Sequence, residues 1–291
     1  MRKKFIITSF FFLLFVINSK DYKLHLKDMC DILSVGDDTM GKMTERHTKI
    51  LELLTENQRV EVTELSELFQ VSQVTIRKDL DQLENRGFIK REHGFATLNS
   101  SDDMNSRLAY HYDLKQKIAK LACTDIQDGE TVMIESGSCC ALLALEIAQT
   151  KKDVTIITNS AFIADYIRKI SKNKMILLGG EYQNESQVLV GPITRKCVES
   201  FFVDKFFIGA DGFSESTGFT GNDYMRSETV KDMAKQAKHV IVLTESAKFH
   251  QIGVVNLLPT KDVSCVVTDR NIPEYYETYL LEQNIQIKKI D

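Results

Sequence analysis

At 291 residues the chain is long enough for two cores, since single domains commonly run to about 100–200 residues. Its 43% hydrophobic and 27% charged residues exclude a disordered or coiled-coil chain. A formal net charge of −4 excludes nucleic-acid binding by bulk charge, so any such interface must come from local placement of cations. The six cysteines (Cys30, Cys123, Cys139, Cys140, Cys197, Cys265) show no Cys-x-x-Cys spacing and no histidine at ligand spacing. That pattern reads as reduced thiols in a cytoplasmic protein, without a disulfide framework or metal site, and nothing in it asks for a cofactor.

Residues 1–42 read as a leader outside the functional protein. Arg2-Lys3-Lys4 precedes a 13-residue apolar run, Phe5–Ile17, which is similar to a signal-peptide core and short for a membrane span. Asn18-Ser19-Lys20 offers no small-x-small cleavage site. Positive residues ahead of the run would also place everything after it outside the cytoplasm. The reading adopted is translation from Met43, with no membrane partner; a membrane anchor is the alternative.

From Glu45 the pattern turns helical, with Ile50, Leu53 and Leu54 on one face up to Asn57. Val60-Glu61-Val62 is a short extended stretch. Thr63 then caps a helix whose apolar face is Leu65, Leu68 and Phe69. The turn Gln70-Val71-Ser72 leads to a third helix, with Ser72 as its N-cap and Gly87 just past its end. That helix buries Ile76, Leu80 and Leu83 at i, i+4 and i+7. Gln73, Thr75, Arg77 and Lys78 lie near its start and away from the apolar stripe, an arrangement that fits a helix reading base edges in the major groove. Phe88 to Leu98 reads as two strands around a tight turn, a wing whose Lys90, Arg91 and His93 reach the phosphate backbone. Residues 43–98 are therefore expected to be a mainly α, winged helix-turn-helix module on double-stranded DNA. Against this, residues 44–98 hold eight Lys and Arg and ten Asp and Glu. Five of the ten acids fall on the first two helices, however, and five of the eight cations fall on the third helix and the wing.

Asn99-Ser100-Ser101-Asp102-Asp103 has linker composition, and residues 99–113 are read as the linker. An α/β domain is expected over 114–291. A helix runs through Leu114, Ile118, Leu121 and Ala122. Short apolar strands then alternate with amphipathic helices, at 131–134, 154–157, 174–178, 205–208, 240–243 and 263–267. This alternation predicts a mostly parallel sheet covered on both faces.

Five of these strands are followed at once by small, polar or glycine-rich residues. They are Glu135-Ser136-Gly137-Ser138, Thr158-Asn159-Ser160, Gly179-Gly180-Glu181, Gly209-Ala210-Asp211-Gly212 and Thr244-Glu245-Ser246-Ala247-Lys248. Open α/β sheets bind ligands beyond the carboxyl ends of their strands. Hydroxyls, helix-start N–H groups and Lys248 suit an anion such as a phosphate, while Asn159 and Asp211 suit sugar hydroxyls. Each such turn alone is routine βα-loop chemistry; the recurrence at five strand ends is what makes a site. Cys139-Cys140 sits at a helix start, where a thiolate would be stabilised; packing as small buried residues is preferred to a redox role.

The run Val71 to Leu80, with Leu83-Glu84 and Arg91-Glu92-His93-Gly94, resembles the helix-turn-helix and wing signature of the DeoR family of bacterial regulators. Glu135-Ser136-Gly137-Ser138, Thr158-Asn159-Ser160, Leu178-Gly179-Gly180, Val190-Gly191-Pro192, Gly209-Ala210-Asp211-Gly212 and Ser246-Ala247-Lys248-Phe249 resemble its sensor domain. The resemblance runs from about Glu45 to the C-terminus. It implies a Rossmann-like sensor related to ribose-phosphate isomerases and CoA transferases, and a phosphorylated sugar as effector. Repression of a carbohydrate operon and a homo-oligomer, dimer or tetramer, are implied too. His93-Gly94-Phe95-Ala96 and Cys139-Cys140 depart from the usual pattern; with Gly218 to Arg226 they look like a YciT-like subgroup.

The alternative is an enzyme, a sugar-phosphate isomerase with an appended DNA-binding module. Asp211 and Lys248 are similar to positions such isomerases use, and Glu228 is the candidate base for moving a proton between adjacent carbons. The lysine-plus-glycine phosphate loop of the isomerases has no counterpart here, so the pocket is read as binding without chemistry.

Overall fold

The computed structural model describes residues 45–57, 59–85, 88–92, 94–98 and 102–290. The leader, Gly87 and His93 lie outside them. Among the described residues, no helix is long and apolar enough to cross a membrane.

The N-terminal module runs α1 (Glu45–Asn57), β1 (Arg59–Glu61), α2 (Val62–Phe69), α3 (Gln73–Asn85), β2 (Ile89–Glu92) and β3 (Phe95–Leu98). Its strands form an antiparallel sheet in the order β1-β3-β2. Ile50, Leu54, Leu65, Ile76, Leu80 and Leu83 are completely buried. At about 1.5–3 kcal/mol for each fully buried aliphatic side chain, this shared core fixes α3 against the other two helices. Ser72 caps α3 as expected, its Oγ accepting from Thr75 N at 3.2 Å.

Three local expectations fail here. Leu51, not Leu53, joins the α1 core face. Leu68 is 57% exposed, because α2 ends after two turns at Gln70, in the left-handed region at φ 53°, and packs through Val62 and Leu65. Thr63 is not a cap: the helix begins at Val62 with Glu61 at the N-cap, and Val62 N donates to Gly94 O (3.0 Å) in the wing turn. That tertiary bond satisfies one of the helix's unpaired N–H groups, and the start lies two residues earlier than a Thr63 cap implies.

The stretch expected as linker, 99–113, instead carries a helix, α4 (Met104–Ala109), and the start of α5 (Tyr112–Cys123). Asp103 caps α4 by accepting from Ser106 N at 2.9 Å, and Met104, Leu108 and Ala109 are buried. A six-residue helix shows only one i, i+4 apolar repeat, too short a period to stand out in sequence.

The remaining elements are β4 (Thr131–Ile134), α6 (Ser138–Thr150), β5 (Thr155–Thr158), α7 (Ala161–Ile167), β6 (Lys174–Leu177), β7 (Glu181–Gln183), β8 (Val188–Val190), α8 (Pro192–Val198), β9 (Val203–Ile208), β10 (Gly212–Ser214), β11 (Gly218–Gly221), α9 (Tyr224–Ala234), β12 (Ala237–Leu243), β13 (Val255–Leu258), β14 (Cys265–Asp269), α10 (Glu274–Glu282) and β15 (Gln286–Ile290). Seven strands make one parallel sheet in the order β15-β14-β12-β9-β4-β5-β6. Alternate residues of a strand enter opposite cores. Val132 and Ile134 join the cluster containing Ile118, Leu143 and Ile163, whereas Met133 joins the one with Val230, Met233 and Leu280. Both faces are thus covered, as an all-parallel sheet requires. The six strands expected from sequence are present. Sequence reading missed the edge strand β15, the β7–β8 hairpin, and the small antiparallel sheet β10-β11-β13.

Candidate functional site

The strand order locates the cleft. From β4 the chain winds one way through β5 and β6, and from β9 the other way through β12, β14 and β15. The topological switch point lies between β4 and β9, and the crevice beyond their carboxyl ends is where such a sheet takes a ligand. There the loops after β4 and β9 approach so closely that a Cβ on Gly137 would sit 3.2 Å from Gly209 Cα. One buried carboxylate ties the two loops. Glu135 accepts from Gly137 N (2.7 Å), Gly209 N (3.3 Å) and Ser136 Oγ (2.7 Å).

Two adjoining hollows open at this point. The first is lined by Arg107, Tyr110, Lys115, Gly137, Ser138, Cys139, Gly209, Ala210, Asp211, Leu243, Thr244, Glu245 and Lys248. The second shares Arg107, Gly209, Ala210 and Asp211 and adds Glu135, Asn222, Asp223 and Arg226 among others. α6 starts at the first hollow, and the N–H groups of a helix's first turn lack intrahelical partners. Lys248 is half-buried, its Nζ donating to Gln251 Oε1 at 3.1 Å. Asp211 Oδ2 accepts from Asn222 N at 3.1 Å. Among the described residues, the buried Thr244 Oγ1 has no hydrogen-bond partner.

Lys115 is 5% exposed and is committed within the wall of the cleft. Its Nζ donates to Arg107 O (2.5 Å) and Tyr110 O (2.6 Å) and lies 3.3 Å from Glu245 Oε1. His111 Nδ1 is 2.8 Å from the other Glu245 oxygen. Burial pulls the Lys115 ammonium below its ordinary value, against the opposing effect of Glu245. Burial alone would raise the Glu245 carboxyl, but the His111 hydrogen bond and the Lys115 charge outweigh it and hold it low. The cleft is thus bordered by a cluster of the buried Lys115 and Glu245 with His111.

Of the effector residues expected from sequence, the structure brings Gly137, Ser138, Asp211 and Lys248 to the first hollow. The others line neither hollow and have local duties. Ser136 binds Glu135. Thr158 Oγ1 accepts from Ser160 N, Ser160 caps α7, and Asn159 Nδ2 donates to Leu189 O of the β7–β8 hairpin. A Cβ on Gly180 would collide with Thr194 Oγ1, and one on Gly212 with the Gln251 carbonyl; Gly179 sits beside Cys197 and Ile193. Arg107 and Tyr110 were missed because they lie in the presumed linker, and Glu245 because it reads as turn chemistry. Glu228, the candidate isomerase base, pairs with Lys231 at 2.8 Å and lines neither hollow. Cys139 and Cys140 are buried. Burial pushes the Cys139 thiol up to about 12 and raises Cys140 well above its ordinary value.

In the N-terminal module, Ser72, Gln73, Arg77 and Lys78 are exposed and Thr75 is half-exposed, all within the first turns of α3. Arg77 Nη2 reaches Gln73 Oε1 at 3.5 Å, so the two share one face. Val74 is 60% exposed beside them, an apolar group of the kind that meets a thymine methyl, and sequence reading passed over it. Lys90 is exposed on the wing. Arg91 is turned inward: its guanidinium pairs with Asp81 and its N–H donates to Glu84 Oε1 at 3.0 Å, stitching β2 to α3. Arg59 stacks over the Phe95 ring at 3.5 Å, placing another exposed cation beside the wing.

A winged helix-turn-helix in series with an α/β domain that carries a lined switch-point cleft defines a two-module transcription regulator. Family models extend this. One described as the DeoR C terminal sensor domain matches residues 110–270, and one described as a DeoR-like helix-turn-helix domain matches residues 46–102. The chain belongs to the DeoR family. The models name the family and no subgroup within it. The HTH-type transcriptional regulator GolR of Listeria innocua is 30% identical over 232 residues, 78% of this chain and 91% of that protein. The Glycerol-3-phosphate regulon repressor of Escherichia coli is 28% identical over 250 residues, 85% of this chain and 99% of that one. Among solved structures, the full-length Sorbitol Operon Regulator SorC of Klebsiella pneumoniae matches with a TM-score of 0.39 and 10% identity, covering 82% of this chain and all of that one.

Proposed function

We propose that this regulator represses a carbohydrate-metabolism operon in the cytoplasm and responds to a phosphorylated sugar or related anionic metabolite. The observation that carries the reading is the cleft itself. At the switch point Arg107, Lys248, the start of α6 and Asp211 surround one space, with cations and helix N–H groups for an anion and a carboxylate for hydroxyls. Gln73, Thr75, Arg77 and Lys78 meet base edges of a double-stranded operator, and Ser72 and Lys90 its backbone. Two-fold operators call for a homo-oligomer.

A thermal-shift screen of sugar phosphates on the full chain tests the sensing half. A ligand at a hundredfold excess over its Kd adds about 2.7 kcal/mol of stability. Lys248→Ala should lose most of that stabilisation while keeping operator binding. If no sugar phosphate raises the melting temperature, the effector class is wrong; if Lys248→Ala responds like the parent, Lys248 leaves the site. For the operator half, Arg77→Ala should abolish sequence-specific gel shifts with the sensor still folded.

A further inference from the structure

α4 touches three things at once. Met104 and Leu108 anchor it in the sensor core, against the cluster containing Cys139, Cys140 and Leu143. Arg107 projects into both hollows. Ser106 faces the other module, its Oγ lying 3.0 Å from Phe88 O and 3.1 Å from Asp103 Oδ1. From Thr48 onward both modules belong to one compact unit, Thr48–Asp291.

Phe88 is the joint between the helix that faces DNA and the wing. Its N–H donates to Leu83 O near the end of α3 (3.0 Å), and β2 starts at the next residue. The Ser106 hydroxyl has one hydrogen and two acceptors at nearly equal distance, so it can satisfy the Phe88 carbonyl or the capping carboxylate, not both. A contact with two near-equivalent arrangements is what a switch needs.

Of the two arginines at the hollows, Arg107 has the looser ion pair. Its Nη1 lies 3.8 Å from Asp102 Oδ1, whereas Arg226 holds the same oxygen at 2.8 Å. An anion entering the cleft can draw Arg107 away while Asp102 keeps Arg226. Ser106 is the preceding residue on a helix of only six, so a shift of α4 that follows Arg107 would carry the Ser106 hydroxyl with it.

We propose that Arg107 is an effector-contacting residue, and that α4 carries its engagement to the joint between α3 and the wing through the Ser106 hydroxyl. This rests on the reading of the cleft as the effector site. It adds the residue that senses occupancy and the route by which occupancy reaches DNA.

Two measurements on the full chain test it. In the first, hydrogen exchange of the Ile89–Glu92 amides is compared in parent, Arg107→Gln, Ser106→Ala and the double variant, without ligand. Arg107→Gln imitates withdrawal of the guanidinium and should change wing exchange at least threefold. The same change in the Ser106→Ala background should have no further effect. In the second, operator affinity is titrated with glycerol 3-phosphate and a panel of hexose phosphates. The parent should lose affinity at least tenfold with the active compound. Ser106→Ala should bind compound and operator within threefold of the parent yet lose that response, and Ser106→Thr, which keeps the hydroxyl, should restore it. Unchanged wing exchange in Arg107→Gln, or a full response in Ser106→Ala, overturns the proposal. If no phosphate acts on the parent while Arg107→Gln still moves the wing, the effector class falls and the route through α4 stands.

Discussion

Replacing Lys115 by methionine should be among the most damaging single changes in the cleft wall. Lys115 is 5% exposed, and its ammonium serves three acceptors, the Arg107 and Tyr110 carbonyls and Glu245. Methionine fills much the same volume, so cavity formation contributes little. The loss comes from leaving Glu245 buried with a charge balanced only through His111, and from two carbonyls deprived of a donor. Removing one partner of a buried ion pair costs about 3–5 kcal/mol. For a domain of this size each kcal/mol moves the melting temperature by about 2–4 °C, so the drop should be roughly 6–20 °C. The double variant Lys115→Met/Glu245→Leu removes both charges together and should recover a large part of that loss, because the desolvation penalty disappears with them. Acid adds a sign test. The folded-state Glu245 carboxyl lies below its ordinary 4.5, so its stabilisation is complete above that value and is lost as pH falls through the folded value. Lys115→Met should flatten that acid dependence. Chemical denaturation monitored by circular dichroism reads all three. A loss under about 1 kcal/mol in the single variant, or a double variant worse than the single, would refute the account of Lys115 as the neutralising partner.

Gly180→Ala should destabilise by about 1–3 kcal/mol, since the new Cβ meets Thr194 Oγ1 and lies 2.7 Å from Val190 O, yet leave sugar-phosphate stabilisation intact. Loss of ligand response at unchanged stability would return that glycine to the site. Cys139 and Cys140 should resist alkylation in the native protein at pH 8, while the half-buried Cys197 reacts. A rise of the Cys139 thiol from 9.0 to about 12 lowers its thiolate about a thousandfold; labelling of Cys139 as fast as Cys197, read by peptide mapping, would contradict it. On the wing, Lys90→Ala should reduce the slope of log affinity against log salt by about 0.9, one phosphate contact. Arg91→Ala should leave that slope unchanged, because Asp81 already holds the guanidinium; an equal drop in both variants would mean that Arg91 leaves Asp81 for the backbone.

The N-terminal module was the most legible part, and for a local reason. Ile76, Leu80 and Leu83 repeat at helical spacing within one element, so the buried stripe names the opposite face without tertiary knowledge. The six inner strands were legible for a similar reason, as short apolar runs bounded by turn residues. Where tertiary partners decide, sequence failed. Leu68 follows the helical pattern but α2 stops too soon to use it, and the Val62 N–H finds its acceptor in a wing turn over thirty positions away. Arg91 reads from sequence as a phosphate ligand, and nothing in its neighbourhood of the sequence shows that Asp81, ten residues earlier on α3, faces it.

The cleft was half legible, and the division follows its construction. Gly137, Ser138, Asp211 and Lys248 sit where strands end, positions that turn composition marks. Arg107 and Tyr110 come from a segment that polar composition assigns to a linker, and they reach the cleft only because Met104 and Leu108 seat α4 on the core. A true flexible tether could hold a DNA-binding module near its sensor but could not report which state the sensor is in, since it transmits neither position nor orientation. A capped helix of six residues, fixed in the core on one face and bonded to Phe88 on another, transmits both. Reading this stretch as a linker therefore hid more than two cleft-lining residues, because it concealed a helix that lines the cleft through Arg107 and bonds the Phe88 carbonyl through Ser106.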